Sequence, residues 1–282
     1  MTMPVLLPCA ARLAAAARDE RRAGPRFRLT LTQGIVLVVL FAAGCAFAQA
    51  QAAAGDLPIL ATIWKWSPLL ARGFVFNLAI SFIAMGAGTI AGFFLGYAQI
   101  SLLAPIRKMA VIVTHFFRNA PWLVLLFYCM FLLPFQVTLL GVTIPIPDWT
   151  KATLGLALPV MANVSEIVRG AVQSIPTTQW EAAASLAFTR RQTMWMIVVP
   201  QCIKRMLPPW MNLYAILTMS TVLASIVGVN EMMTLTQRAL SAENRPGLLL
   251  AFYAYVLLWF FVYCYPIARW TVRLEARYAV NQ

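Results

Sequence analysis

Six stretches of this chain carry enough apolar residues to cross a ~30 Å hydrocarbon layer, a distance that takes about 20 residues of helix. They run roughly 32–50, 71–100, 109–134, 152–171, 208–232 and 247–268. No other feature constrains the fold as strongly. The chain is 61% hydrophobic and 11% charged, against about 45–50% apolar and about 25% charged in soluble domains. A water-soluble fold of this size has no interior large enough for that much apolar surface. The spacing predicts an all-α, polytopic membrane protein of about six transmembrane helices.

Charge orients the spans. With the N-terminus cytoplasmic, the inside pieces (1–31, 101–108, 169–207 and 269–282) hold 16 of the 22 Lys and Arg residues. The outside pieces (51–72, 135–151 and 233–246) hold Lys65, Arg72, Lys151, Arg238 and Arg245, and Arg118 falls within a span. That asymmetry places both termini in the cytoplasm. The net charge of +13 therefore reads as topology. Arg18, Arg21, Arg22, Arg26 and Arg28 stand just before the first span, and no basic run lies between stacking aromatics, so nucleic acid is not an expected partner. The first span has two readings. It is an uncleaved helix, or, with its basic start and Ala-Phe-Ala-Gln-Ala end, a signal peptide.

Catalytic chemistry finds little support. The five cysteines form no CxxC pair and His115 is the single histidine, which argues against a zinc or di-iron site. Neither paired carboxylates at helical spacing nor a Ser-His-Asp set is evident. The four lysines (65, 108, 151 and 204) follow Trp, Arg, Thr and Ile, so there is no GxxxxGK[ST] phosphate cradle. A secondary transporter or channel is the alternative reading. Its coupling would need intramembrane acids, yet the nine acids stand at or near span ends. Arg118, with His115 one turn earlier, is the one intramembrane cation, either functional or a cap on carbonyls freed by Pro121. Gly88, Gly92 and Gly96 form a small-xxx-small ladder suited to close helix packing.

The longest polar connection after the N-terminal tail, 172–207, has helix signals of its own. Thr178 and Glu181 have capping-box spacing, as do Thr189 and Gln192. Trp180, Ala183, Ala184, Ala187 and Phe188 share one helical face, and Pro200 is expected to stop the second helix. Two short helices with a bend near 187–189 are predicted. An exposed, Trp-bearing cytoplasmic face suits a lipid interface or a groove on a partner protein equally.

Within this connection, Glu181-Ala182-Ala183-Ala184-Ser185-Leu186-Ala187, followed thirteen residues later by Pro200-Gln201, resembles the EAA loop of ABC importer permeases. Ser165-Glu166-Ile167-Val168-Arg169-Gly170, Ile175-Pro176, Phe117-Arg118-Asn119-Ala120-Pro121 and Thr221 through Val229 are similar to the branch that imports polar amino acids. The resemblance covers roughly residues 68–270.

It implies a five-helix type I ABC permease domain at 68–270, with an EAA loop at 172–207. Flanking it would be a basic tail (1–31), an added N-terminal helix with a periplasmic loop (32–67) and a cytoplasmic tail (271–282). It further implies a bacterial inner-membrane, ATP-driven importer of amino acids. Glu181, Ala182, Ala183, Leu186 and Ala187 would form the coupling helix. The partners would be a separate ABC ATPase subunit, a second permease subunit (a copy or a homologue), a periplasmic amino-acid-binding protein and the surrounding membrane lipid. No cofactor is expected in this chain, since ATP and Mg belong to the ATPase.

Arg118, Asn163, Ser165, Asn212, Thr218 and Thr221 are the candidate path residues, and the last five serve equally well as helix–helix glue. Two departures stand out. Ala187 replaces the family's Gly, so the bend is either not left-handed or strained by roughly 1 kcal/mol. Met219-Ser220-Thr221-Val222-Leu223 lacks the two charges of the family's Lys-Asp-Thr-Ser-Leu.

Overall fold

The computed structural model describes residues 58–139 and 142–278. The expected helix at 32–50 and the basic tail before it lie outside the described residues. Helix α1 (Ile59–Gln99) follows Pro58 and has 41 residues, about 60 Å at 1.5 Å per residue. It starts earlier than expected, because residues 59–67, read from sequence as periplasmic loop, are helical. Pro68 inside α1 has no amide proton to donate to the Trp64 carbonyl one turn earlier, and the neighbouring Ser67 adds a hydroxyl bond to the Ile63 carbonyl (2.8 Å).

The third expected span is broken in two. Helices α2 (Ala104–Asn119) and α3 (Trp122–Leu132) meet at 104°. Pro121 forces the break, because its ring disfavours helical backbone at the preceding residue, and Ala120 is extended (φ −73°, ψ 136°). After α3 a small antiparallel hairpin, unforeseen in the all-α reading, pairs β1 (Gln136–Leu139) with β2 (Val142–Pro145). Its β-branched residues Val137, Thr138, Thr143 and Ile144 fit a pleated ladder.

Helix α4 (Asp148–Gln173) is central, packing against α1, α2, α3 and the later helix α7. The α1 glycines make the closest seam. A Cβ on Gly92 would lie 2.6 Å from the Met161 carbonyl oxygen, and one on Gly96 would lie 2.7 Å from Val168 Cβ. Only glycine lets the two backbones come this near. Around the seam lies an apolar core that includes Ile80, Met85, Leu126, Leu156, Val160, Val164 and Leu217.

The connection at 172–207 folds as α5 (Thr177–Ser185), α6 (Arg190–Gln192) and a π-helical turn (Thr193–Val198) that runs into α7 (Val199–Ser220). Pro200 does not end the helix. It occupies the first turn of α7, where an amide donor is dispensable and a fixed φ is already helical. A 3-10 turn (Thr221–Ser225), then α8 (Met232–Glu243) and α9 (Leu248–Tyr278) complete the fold. Among the described residues, α1 and α9 are long and apolar enough to cross a membrane, and the bent pair α2–α3 makes a third candidate. α4 and α7 have the length, at 26 and 22 residues. On them Ser165 and Thr218 are buried, while Asn163, Glu166, Arg205 and Asn212 line a pocket.

Candidate functional site

Two features stand out: the exposed helix α5 and a polar pocket between α2, α4 and α7. The start of α5 differs from the sequence reading. Pro176 precedes the first helical residue, Thr177, and no side chain caps this end, so the expected Thr178–Glu181 box does not form. Pro176 pre-sets the turn and makes the side-chain cap unnecessary. The second box does form. Thr189 Oγ1 accepts from the Gln192 amide (3.3 Å), and Gln192 Oε1 accepts from the Thr189 amide (2.9 Å).

The orientation of α5 also differs from expectation. Trp180 is half-buried and Ala183 is buried. Trp180 packs on a small cluster of Ala171, Ile175, Met194, Val198 and Cys202, because a large apolar ring gains most by leaving water. Gln201 ties α7 to α5 through Gln179 Oε1 (2.6 Å). The exposed side is therefore Glu181, Ala182, Ala184, Leu186 and Ala187. Glu181 makes no side-chain hydrogen bond or ion pair. The helix ends in a left-handed bend, with Ala187 at φ +55°. The Phe188 amide reaches the Ala183 carbonyl (3.1 Å) and the Ala187 amide reaches that of Ala184 (2.9 Å), the paired closure of a Schellman motif. Of the two alternatives left by the sequence, the strained left-handed bend is the one present.

The pocket, about 580 Å³, is lined by Arg118, Asn163, Glu166, Arg205, Asn212 and their apolar neighbours. That volume is in the range of small-molecule sites. Arg118 ends α2 and reaches Glu166 (3.4 Å), which Arg169 holds from one helical turn away (2.6 Å). Arg118 makes no bond to the carbonyls freed by the break. Asn119 does that instead, donating to His115 O (2.7 Å). Arg205 donates to both the carbonyl and the hydroxyl of Ser174 (2.6 and 2.8 Å), stapling α7 to the end of α4. Two guanidiniums and one carboxylate thus line a space between helices.

The structure divides the six candidate path residues. Arg118, Asn163 and Asn212 line the pocket together. Ser165, Thr218 and Thr221 are fully buried away from it. Ser165 hydrogen-bonds Thr114 and Gln99 (both 3.0 Å), Thr218 bonds the Tyr214 carbonyl (2.9 Å), and Thr221 receives Asn77 (2.9 Å).

Glu166 and Arg205 were missed as pocket residues. The signal for Glu166 was its i,i+3 spacing from Arg169. Glu231, at the end of the fifth expected span, is fully buried. It caps α8 by accepting from the Met233 and Thr234 amides (both 2.9 Å) and receives Asn77 Nδ2 (3.0 Å). Lys151 is also buried, with Nζ 3.4 Å from the Phe135 ring centroid and 3.6 Å from Asp148. Among the described residues, no group of three or more His, Cys, Asp or Glu side chains is arranged to hold a metal ion.

Residues 88–277 match the family described as the binding-protein-dependent transport system inner membrane component. The chain belongs to that family. The probable amino-acid ABC transporter permease protein YckA of Bacillus subtilis (strain 168) is 34% identical over 212 residues, 75% of this chain and 90% of its own length. A solved amino acid ABC transporter with histidines superposes with a TM-score of 0.67 at 25% identity, covering 79% of this chain and 99% of that one. The inward-facing MetNI methionine ABC transporter gives 0.59 at 17% identity over 77% of this chain and 99% of that one, which shows a shared fold. This chain is thus an ABC importer permease subunit with the type I fold. In such a permease, α5 and the pocket both present exposed, chemically distinct side chains to other molecules.

Proposed function

We propose that this permease carries amino acids inward across a bacterial inner membrane, with both termini cytoplasmic and its permease core at 68–270. A separate ABC ATPase drives it by docking on α5 and the bend after it through Glu181, Ala182, Leu186 and Ala187; Ala183, expected from the sequence to join them, is buried against the bundle and holds α5 in place instead. ATP and Mg belong to that ATPase. A second permease subunit, identical or homologous, completes the path, and a periplasmic amino-acid-binding protein delivers the substrate. The pocket supports an amino acid as cargo: guanidiniums suit a carboxylate and Glu166 suits an ammonium. Arg118, Asn163 and Asn212 line the path, and Ser165, Thr218 and Thr221 hold its walls.

One observation carries this reading. α5 stands on the bundle by one face and leaves the other open, with small side chains and an unpaired carboxylate. A helix held this firmly, with no other described residue covering its outer face, is built to be gripped. The test is affinity purification of the detergent-extracted chain, with mass spectrometry of what accompanies it. Wild type should bring down an ATPase, and Glu181→Lys should lose it while eluting as the same monodisperse species. An ATPase retained equally by Glu181→Lys would remove Glu181 from the docking surface. None with either protein would remove the coupling role of α5.

A further inference from the structure

A second cavity, about 390 Å³, lies where α1 ends and α6 begins, lined chiefly by Tyr97, Ser101, Leu102, Arg190, Arg191 and Trp195. We propose that it binds the headgroup of an anionic phospholipid of the cytoplasmic leaflet. The proposal rests on the inner-membrane placement of the chain, and on neither the pocket between α2, α4 and α7 nor the docking role of α5.

Charge is the first reason. Among the described residues, two guanidiniums line the cavity and no carboxylate does. Arg190 is held in place by one bond to the Ile100 carbonyl (3.3 Å), which leaves its other N–H donors free. Arg191 makes no ion pair. Two adjacent guanidinium forks, one of them anchored and neither paired with a described carboxylate, suit a phosphodiester.

The surroundings favour lipid over a free anion. Tyr97 and Trp195 are about half exposed (53% and 52%), with the amphipathic rings common at the headgroup level. From Leu102 in the cavity wall, an exposed apolar stripe climbs α2 through Ile106, Met109, Ile112 and Phe116. These residues recur every three or four positions, so they share one side of the helix. A phosphate seated between Arg190 and Arg191 has an apolar track for its acyl chains beginning at the cavity wall. A free phosphate would leave that track unused.

The test is native mass spectrometry of the full-length, delipidated chain in detergent, titrated with dioleoyl phosphatidylglycerol and dioleoyl phosphatidylcholine. Phosphatidylglycerol should bind about 25-fold more tightly. Arg190→Gln with Arg191→Gln should abolish that preference, at about fivefold for each arginine neutralised. Arg190→Lys with Arg191→Lys should keep most of it, and Arg269→Gln, on α9, should leave it unchanged. Equal binding of the two lipids, or a double Gln variant that binds like wild type, overturns the proposal. Release of the lipid by millimolar inorganic phosphate would assign the cavity to a free anion instead. Displacement by added partner ATPase would assign it to that interface.

Discussion

Small side chains serve the α1–α4 seam and the α5 helix in opposite ways. In the seam, Gly92 and Gly96 let α4 come so near that a Cβ would overlap its backbone. The space vacated by the missing side chains is already filled. On α5 and the bend after it, Ala182, Ala184 and Ala187 are exposed, with no described residue packed over them. Lipid gives helices no hydrophobic reason to associate, so close packing must do it within the membrane. Outside the lipid a small-residue surface is bare helix, open to a partner that fits. The pattern in sequence is similar. It records how near a neighbour can come, and the fold alone tells whether that neighbour belongs to this chain.

Substitution can break this contrast at either end, and the largest effect falls on the seam. Gly92→Leu should destabilise the protein by about 3 kcal/mol, the upper end for overpacking, because the added carbons meet the Met161 carbonyl and Val164. The readout is loss of the monodisperse peak after brief heating in detergent. Gly86 is the internal control, since nothing lies within 4 Å of a Cβ there. Gly86→Ala should stabilise by up to about 1 kcal/mol through helix propensity. Equal damage from both changes would mean that glycine serves α1 in some way other than close approach.

At the other end, substitutions on α5 should act on assembly and hardly on folding. The Glu181→Lys loss of ATPase is the sharpest case. Smaller effects test the bend. Thr189→Ala should cost about 1 kcal/mol by removing the formed cap. Ala187→Gly should stabilise by about 0.5–1 kcal/mol, since glycine relieves the left-handed strain but loses more freedom on folding. Thermal unfolding with matched ATPase binding measures both. Thr178→Ala, at the box that does not form, should change stability little.

The smallest expected effect lies where the start of α1 meets the end of α8. Lys65, then Trp66, hold the Glu243 carboxyl below the usual carboxylate range by hydrogen bonds of 2.8 and 2.7 Å. A lowered folded-state pKa contributes stability above the unfolded value of about 4.3 and loses it as pH falls through the folded value. Glu243→Gln should therefore lower Tm slightly at neutral pH, with the difference vanishing in more acid solution. Lys65 is 55% exposed, which keeps the effect small and salt-sensitive.

Much of this protein was legible in its residues. Apolar runs long enough for a bilayer marked the helices of the core, because that signal depends on local composition alone. The Thr189–Gln192 cap was legible because both partners lie within one turn. Pro121 marked the break between α2 and α3, although not its 104° angle. The twin box at Thr178–Glu181 failed because Pro176 had already set the turn. The hairpin at 136–145 was overlooked, although its β-branched residues were in plain view.

The sequence by itself determined the solvent, the run of helices and the bend near residue 187, since each depends on neighbours along the chain. Tertiary structure decided the rest. It chose Arg118, Asn163 and Asn212 for the pocket and buried Ser165, Thr218 and Thr221. It brought Glu166 to Arg118 across 48 residues, turned Trp180 inward and left Glu181 outside. The physical reason is that a polar side chain in a membrane helix has two ways to be satisfied, a neighbouring helix or a polar cavity. Spacing along one helix is the same for both, so only the packing of the others distinguishes them.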